Sequence, residues 1–158
     1  MTGARDLVAD ALANTKDTLT ELRDLVRGIR PPALDLGLGP AVQTLAARNP
    51  IPVDVSVDLR VRPSIGVETM AYFCVAELLA NVSRHSGATQ ASVHIHSDTD
   101  ELRIIVNDNG SGGISVGNGS GLTGLAERLA MLDGRLEIDS PTGGPTVVSV
   151  IVPPGVGQ

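Results

Sequence analysis

The sequence predicts an α+β fold: a two-layer sandwich of helices on one face of a mixed, mainly antiparallel sheet. Three observations carry this prediction. Five short segments alternate apolar and polar residues at the strand period of two. Between them lie segments with apolar residues at the 3.6-residue helical period. The order of elements is irregular, with paired strands as well as strand–helix units, which does not suit a wholly parallel sheet. The chain has 158 residues, 42% of them hydrophobic and 19% charged, enough apolar material for one core.

In chain order, Val8, Leu12, Thr15, Leu19, Leu22, Val26 and Ile29 alternate spacings of four and three, the a/d pattern of a heptad seam. Gly28 and Pro31-Pro32 end that helix. The narrow stripe reads as a bundle or coiled-coil seam rather than a helix packed on its own domain, so it requires a partner chain or further helices. Leu36 to Arg48 reads as a second helix with Leu38, Val42, Leu45 and Ala46 inward, broken by Pro50 and Pro52. Val53, Val55, Val57 and Leu59 mark a strand. Pro63 to about His85 is a long helix built on Val67, Met70, Ala71, Cys74, Val75, Leu78, Leu79 and Val82. Ala91, Val93 and Ile95 mark the next strand, and Leu102, Ile104 and Val106 the one after. A helix over Leu122 to Leu132, a short strand at Leu136 and Ile138, a turn from Pro141 to Pro145, and a last strand at Val148, Val150 and Val152 complete the chain.

Composition excludes several functions. A net charge of −6 and only two aromatic residues, Tyr72 and Phe73, argue against a nucleic-acid partner, which would want basic patches and stacking platforms. The single cysteine, Cys74, sits in an apolar helical run and reads as a buried small hydrophobe. No apolar run reaches the roughly 20 residues of a membrane span, and the N-terminus lacks a signal peptide's apolar stretch. The chain therefore reads as a cytoplasmic segment, which a longer, membrane-anchored protein could carry.

Chemistry concentrates in two regions. Asp108-Asn109-Gly110-Ser111-Gly112-Gly113 and Gly119-Ser120-Gly121-Leu122-Thr123-Gly124 form a glycine-rich segment that runs into a helix start. Glycine lets a ligand approach the backbone, and a helix N-terminus offers unpaired N–H groups and partial positive charge to phosphate. Asp108, at a strand end, can initiate a turn, accept from an exocyclic amine or bind a metal. On the long helix, Glu77, Asn81 and His85 stand at i, i+4 and i+8, on one face, with Arg84 beside them. An amide or carboxylate oxygen there suits a hard cation such as Mg²⁺, and Arg or His suits phosphate. Gly119-x-Gly121-x-x-Gly124 with Asp139 twenty residues on also meets the dinucleotide-binding pattern. That pattern must follow directly on a strand, and here a loop of about ten residues intervenes. His94 and His96 share the outer face of a strand and read as solvent-facing.

Together these residues resemble the ATP-binding domain of two-component sensor histidine kinases, in the GHKL (gyrase, Hsp90, histidine kinase, MutL) superfamily, and within it the nitrate-sensor and DesK-type subgroup. Glu77-Leu-Leu-Ala-Asn81-Val-Ser-Arg84-His85 resembles the N box, Asp108-Asn-Gly110-Ser-Gly112 the G1 box, and Gly119-Ser-Gly121-Leu122-Thr123-Gly124-Leu-Ala-Glu-Arg128 the G2 box. Glu21-Leu-Arg23, Arg30-Pro31 and Leu36-Gly37-Leu38 resemble the second helix of a dimerisation hairpin and its linker.

The resemblance implies the Bergerat type of ATP-binding fold over residues 53–158, preceded by part of a hairpin (1–30) and a linker with a short helix (31–52). It implies ATP and Mg²⁺ as ligands. Asp108 would bind the adenine N6 group, aided by Thr146 through water, and Asn81 would hold Mg²⁺. Arg84 or His85 would approach the phosphates, Gly110 and Gly112 would hinge the loop, and Gly119 to Gly124, with Leu122 and Thr123 among them, would line the phosphates. Glu77 would be a polarising residue or general base near the γ-phosphate. Two departures stand out. Pro145 precedes Thr146 where the subgroup has glycine, and no phosphoacceptor histidine is visible. The implied partners are an acceptor hairpin, a response regulator and a second copy joined through residues 1–30, the fragment alone being unable to autophosphorylate. A serine kinase of the anti-sigma-factor type and a nucleotide-binding module without transfer are the alternatives within the same superfamily.

Overall fold

The computed structural model describes residues 31–85, 87–114 and 121–155; of His85 only the backbone is described. The heptad segment 1–30 and Gly119 lie outside the described residues. A single 3₁₀ turn, Pro32–Leu36, leads into α1 (Leu38–Arg48). β1 (Val53–Leu59) is followed by the long α2 (Ile65–His85) and by β2 (Ala91–Ser97) and β3 (Leu102–Asp108). α3 (Leu122–Ala130), β4 (Arg135–Asp139) and β5 (Thr146–Val152) complete the unit. Residues 33–158 cluster as one compact unit, with α1 packed on α2 and β1.

The sheet has the order β1-β2-β3-β5-β4. Only β1 and β2 run parallel, because α2 is the crossover that returns the chain to the same end of the sheet; the other neighbours are antiparallel. This is the mixed sheet with helices on one face that the periodicities predict. Val55, Val93, Val106 and Val148 lie in one continuous register across four strands, and Val57, Ile95, Ile104 and Val150 in the next row but one. Those rows form the covered face. On the other face stand Asp54, Ser92, His94 and Asn107, with His94 exposed as expected and His96 between Asp58 (Nδ1–Oδ2 3.4 Å) and Asp98 (Nε2–Oδ2 3.5 Å).

Helix boundaries follow local chemistry. Ser64 caps α2, its Oγ accepting from the Val67 N–H at 3.2 Å. At the end of α1, the Asn49 side chain donates to the Leu79 carbonyl at 3.2 Å and accepts from the Ile51 N–H at 3.1 Å, tying α1 to the middle of α2. α3 buries Leu122, Leu125 and Leu129, spaced three and four, and faces solvent with Thr123, Gly124 and Glu127. One expectation needs correcting. By length and composition, Ile65–Arg84 within α2 could cross a membrane, with a mean hydropathy of 1.4. Its apolar character has another cause, since 61% of that stretch is buried against the sheet and α1, as in the central helix of a globular core.

Candidate nucleotide site

At the Asp108 end of the sheet, α2, β3 and β5 enclose a small cavity between strand ends and helix. Its walls are apolar: Leu78 and Val82 from α2, Val106 from β3, Val148 from β5, and Ile114 and Leu122 from the segments on either side of residues 115–120. Three polar side chains converge in it, Asn81, Asp108 and Thr146. All three are buried, at 6%, 4% and 2% exposure. Buried polar groups normally find partners, so their convergence in an apolar shell points to a ligand.

The three differ in how they are held. Thr146 faces Asp108 directly across the β3–β5 ladder, so strand register alone brings them together. Asp108 Oδ1 accepts from the Gly110 N–H at 2.8 Å, which fixes the carboxylate plane. Burial pushes the Asp108 carboxyl above the usual carboxylate range, and the Gly110 N–H only partly offsets this. Asn81 Nδ2 has no partner among the described residues. A buried amide left this way costs about 1–3 kcal/mol, a cost that a bound group or a turned amide presenting its oxygen removes.

The loop after Asp108 is anchored against the turn between β4 and β5. The Gly113 N–H donates to the Ser140 carbonyl at 2.9 Å, Gly143 to Ser111 at 2.7 Å, and Ile114 to Ser140 Oγ at 3.0 Å. Gly112 has φ +69°, and a Cβ there would overlap the Pro141 carbonyl and reach the Gly144 N at 2.8 Å, so this position admits only glycine. Gly110 is buried in the same junction. Asn109 holds the other side. Its Oδ1 accepts from Thr89 and Gln90 N–H groups at 2.9 and 3.1 Å, and its Nδ2 donates to Thr89 Oγ1 at 2.9 Å. The loop is thus bound at both flanks before it reaches Ile114.

Glu77, one turn before Asn81, lies beside the start of α3. A Cβ on Gly121 would sit 2.6 Å from Glu77 Oε1, and Gly121 itself takes φ +81°. The carboxylate therefore stands at the positive end of α3, and only glycine lets the two approach so closely. Arg84 is exposed and folds back to the Ala80 carbonyl, Nε to O 3.3 Å, and does not line the cavity. Thr123 and Gly124 are exposed on α3. Gly119 and the His85 imidazole lie outside the described residues.

The structure thus brings Asn81, Asp108, Thr146 and Leu122 into one cavity and sets Glu77 and Gly121 at its edge. Sequence reasoning missed Ser140, Asn109 and Ile114. Ser140 and Asn109 look like ordinary turn residues, and only the fold reveals what their side chains join. Asp139, the acidic residue of the dinucleotide pattern, ends β4 exposed and pairs with Val147, so it takes no part in the cavity. Cys74 is fully buried, and burial pushes its thiol up to about 12. Among the described residues no cluster of three or more His, Cys, Asp or Glu side chains could hold a metal ion. The cavity as it stands is about 20 Å³, room for roughly one water, whereas ligand pockets span hundreds of Å³.

β3 thus ends in a buried Asp that faces Thr across the ladder, with Asn of the crossover helix in the same cavity. Residues 66–156 match the family described as histidine kinase-, DNA gyrase B-, and HSP90-like ATPase, and the chain belongs to that family. Sensor histidine kinase NarS of Mycobacterium tuberculosis is 35% identical over 142 residues, which cover 84% of this chain and 33% of NarS. Sensor histidine kinase MctS of Rhizobium johnstonii is 32% identical over 145 residues, 84% of this chain and 32% of MctS. The fold is similar to the blue-light activated histidine kinase of Erythrobacter litoralis EL346 (TM-score 0.64, 17% identity, 92% of this chain and 50% of that one). It is also similar to the histidine kinase AdeS of Acinetobacter baumannii (TM-score 0.58, 14% identity, 92% of this chain and 80% of that one). The chain spans about a third of the length of these curated relatives. Residues 66–156 are thus an ATPase-type domain of that family, in a chain similar to part of these sensor histidine kinases.

Proposed function

We propose that this domain binds ATP with Mg²⁺ and delivers the γ-phosphoryl group to a histidine on a dimerisation helix that this sequence does not contain, for relay to a response-regulator aspartate. The observation that supports this reading best is the convergence of Asn81, Asp108 and Thr146 in one apolar cavity. Asp108 accepts from the adenine amino group, and its burial excludes the water that would compete for that bond. Thr146 completes recognition of the base edge. Leu78, Val82, Val106 and Val148 remove the faces of the base from water.

The donor set fits a hard cation: a buried amide without a partner at Asn81, one turn from the Glu77 carboxylate. Bound Mg²⁺ would supply charge neutralisation on the phosphates, with the Asn81 oxygen as the protein's ligand. The backbone at Gly119, Gly121, Leu122, Thr123 and Gly124 would line the phosphates, and Arg84 or His85 would approach them. Glu77 holds the acceptor imidazole in orientation and takes its proton. The imidazole nitrogen bonds to the γ-phosphorus as the bond to the β–γ bridging oxygen breaks, and ADP leaves. Positioning and electrostatics carry most of such a reaction.

We further assign residues 1–30 to half of a dimerisation hairpin that joins two copies, and place the domain in the cytoplasm, whether or not the full-length protein has a membrane anchor. Incubation with γ-labelled ATP and Mg²⁺, with and without a separately made hairpin bearing the acceptor histidine, tests the reaction. Acid-labile, base-stable label on the hairpin alone is the expected result. Absence of label from a protein that binds ADP would show a nucleotide-binding module without transfer. Deleting residues 1–30 should abolish any dimer and leave ADP affinity unchanged; a dimer that survives the deletion refutes the seam.

A further inference from the structure

Ser140, the residue that follows β4, touches both the base end of the cavity and the loop that closes it. Its carbonyl accepts from the Gly113 N–H at 2.9 Å, its Oγ accepts from the Ile114 N–H at 3.0 Å, and its Oγ lies 2.7 Å from Thr146 Oγ1. A serine or threonine hydroxyl has one proton and two lone pairs. A backbone N–H can only donate, so Ile114 occupies one Ser140 lone pair. Thr146 Oγ1 is the acceptor within reach of the Ser140 proton among the described residues. If Ser140 donates to Thr146, the Ser140 proton is paired and the Thr146 proton is left for the cavity it shares with Asp108. The opposite polarity leaves the Ser140 proton without a protein acceptor and turns a second lone pair, beside a carboxylate, into the cavity.

We propose that Ser140 is a positioning residue that holds the Thr146 hydroxyl as a donor into the cavity and thereby sets the preference for adenine over guanine. This rests on the ATP reading above. With the hydroxyl so held, the cavity offers an acceptor at Asp108 beside a donor at Thr146. Adenine presents the complementary edge, an amino donor next to a ring-nitrogen acceptor, whereas guanine presents a carbonyl acceptor next to an N–H donor. A site built to hydrogen-bond one edge rejects the other because its buried groups are left unpaired. The same Oγ also holds the Ile114 N–H, and Ile114 lines the cavity. Base recognition and the position of the loop therefore meet at a single hydroxyl.

Calorimetric titration of the whole chain with ADP and with GDP tests this, using the unaltered protein, S140A, S140T, T146V and S140A/T146V. S140A should lose roughly tenfold in ADP affinity while GDP affinity stays within about twofold, so the ADP:GDP ratio falls. S140T, which keeps a hydroxyl, should restore the ratio. The double variant should bind ADP no more weakly than T146V alone, because Ser140 acts through Thr146. An ADP:GDP ratio in S140A equal to that of the unaltered protein overturns the inference, as do losses that multiply in the double variant. Should S140A prove unstable, T146V and S140T still decide: a T146V ratio equal to the unaltered protein's removes the hydroxyl from base selection. Failure of the unaltered protein to bind either nucleotide counts against the ATP reading itself.

Discussion

Replacing Asp108 with asparagine should separate binding from stability. The Gly110 N–H, 2.8 Å from Oδ1, fixes the orientation of the side chain, so the asparagine oxygen must take that place. Its NH₂ group then stands where the second carboxylate oxygen faced the cavity, and meets the adenine amino group donor to donor. Loss of a hydrogen bond to a charged acceptor is worth about 1.5–3 kcal/mol, a fall of roughly 10- to 150-fold in ADP affinity. Folding responds differently. Burial raises the Asp108 carboxyl above its usual 3.8, so the folded state holds the proton more tightly than the unfolded chain. For such a group the contribution to stability is fully present below the unfolded value and is lost as pH rises through the folded value. At neutral pH the ionised carboxylate is therefore a burden on the fold, and asparagine removes it. D108N should melt at the same temperature as the unaltered protein or higher, while isothermal titration shows the weakened ADP binding. Unchanged ADP affinity, or a weakening accompanied by a parallel fall in melting temperature, would refute this reasoning.

Three further outcomes are expected. G112A introduces a side chain at φ +69° into the Pro141 carbonyl and should lose on the order of 2 kcal/mol or more in urea unfolding; an unchanged midpoint would mean the loop–turn junction is not rigid. Cys74, fully buried with its thiol at about 12, should resist a disulfide reagent in the native state and react fully once denatured; rapid native-state reaction would place it near the surface. Asp98 is held below its usual range by the Glu101 and Asp100 N–H groups, with help from His96. Its contribution is therefore present above the unfolded value and lost as pH falls through the folded one, so D98N should flatten the acid limb of the stability–pH curve, and an identical limb would discount it.

The elements of this fold were legible because their periods are clean: Val53 to Leu59 alternates, and Val67 to Val82 follows the helical period without interruption. Sheet order was not, since nothing in Leu136 or Val148 states that β5 lies between β3 and β4. The site was half legible. Asp108 and Asn81 stand out as polar residues in patterned segments, and the glycines around them mark close approach. Their meeting depends on register, Asp108 opposite Thr146, which sequence does not encode locally. Ser140 and Asn109 were opaque for the same reason: a hydroxyl or amide in a turn has many uses, and only tertiary contact selects one. Apolarity was underestimated in one place, where the helix buried on the sheet matches the composition of a membrane span.

The strand order also bears on how the protein is made. Synthesis releases β4 before β5, yet β4 pairs with β5 alone. Until Thr146 to Val152 leaves the ribosome, β3 has a bare edge, β4 has no neighbour, and Asp108 has no threonine opposite it. A nascent chain stopped short of β5 could form α2 and the β2–β3 hairpin but no base pocket. The ability to bind nucleotide would then arise almost all at once, as β5 emerges, and would report that the whole domain has been assembled.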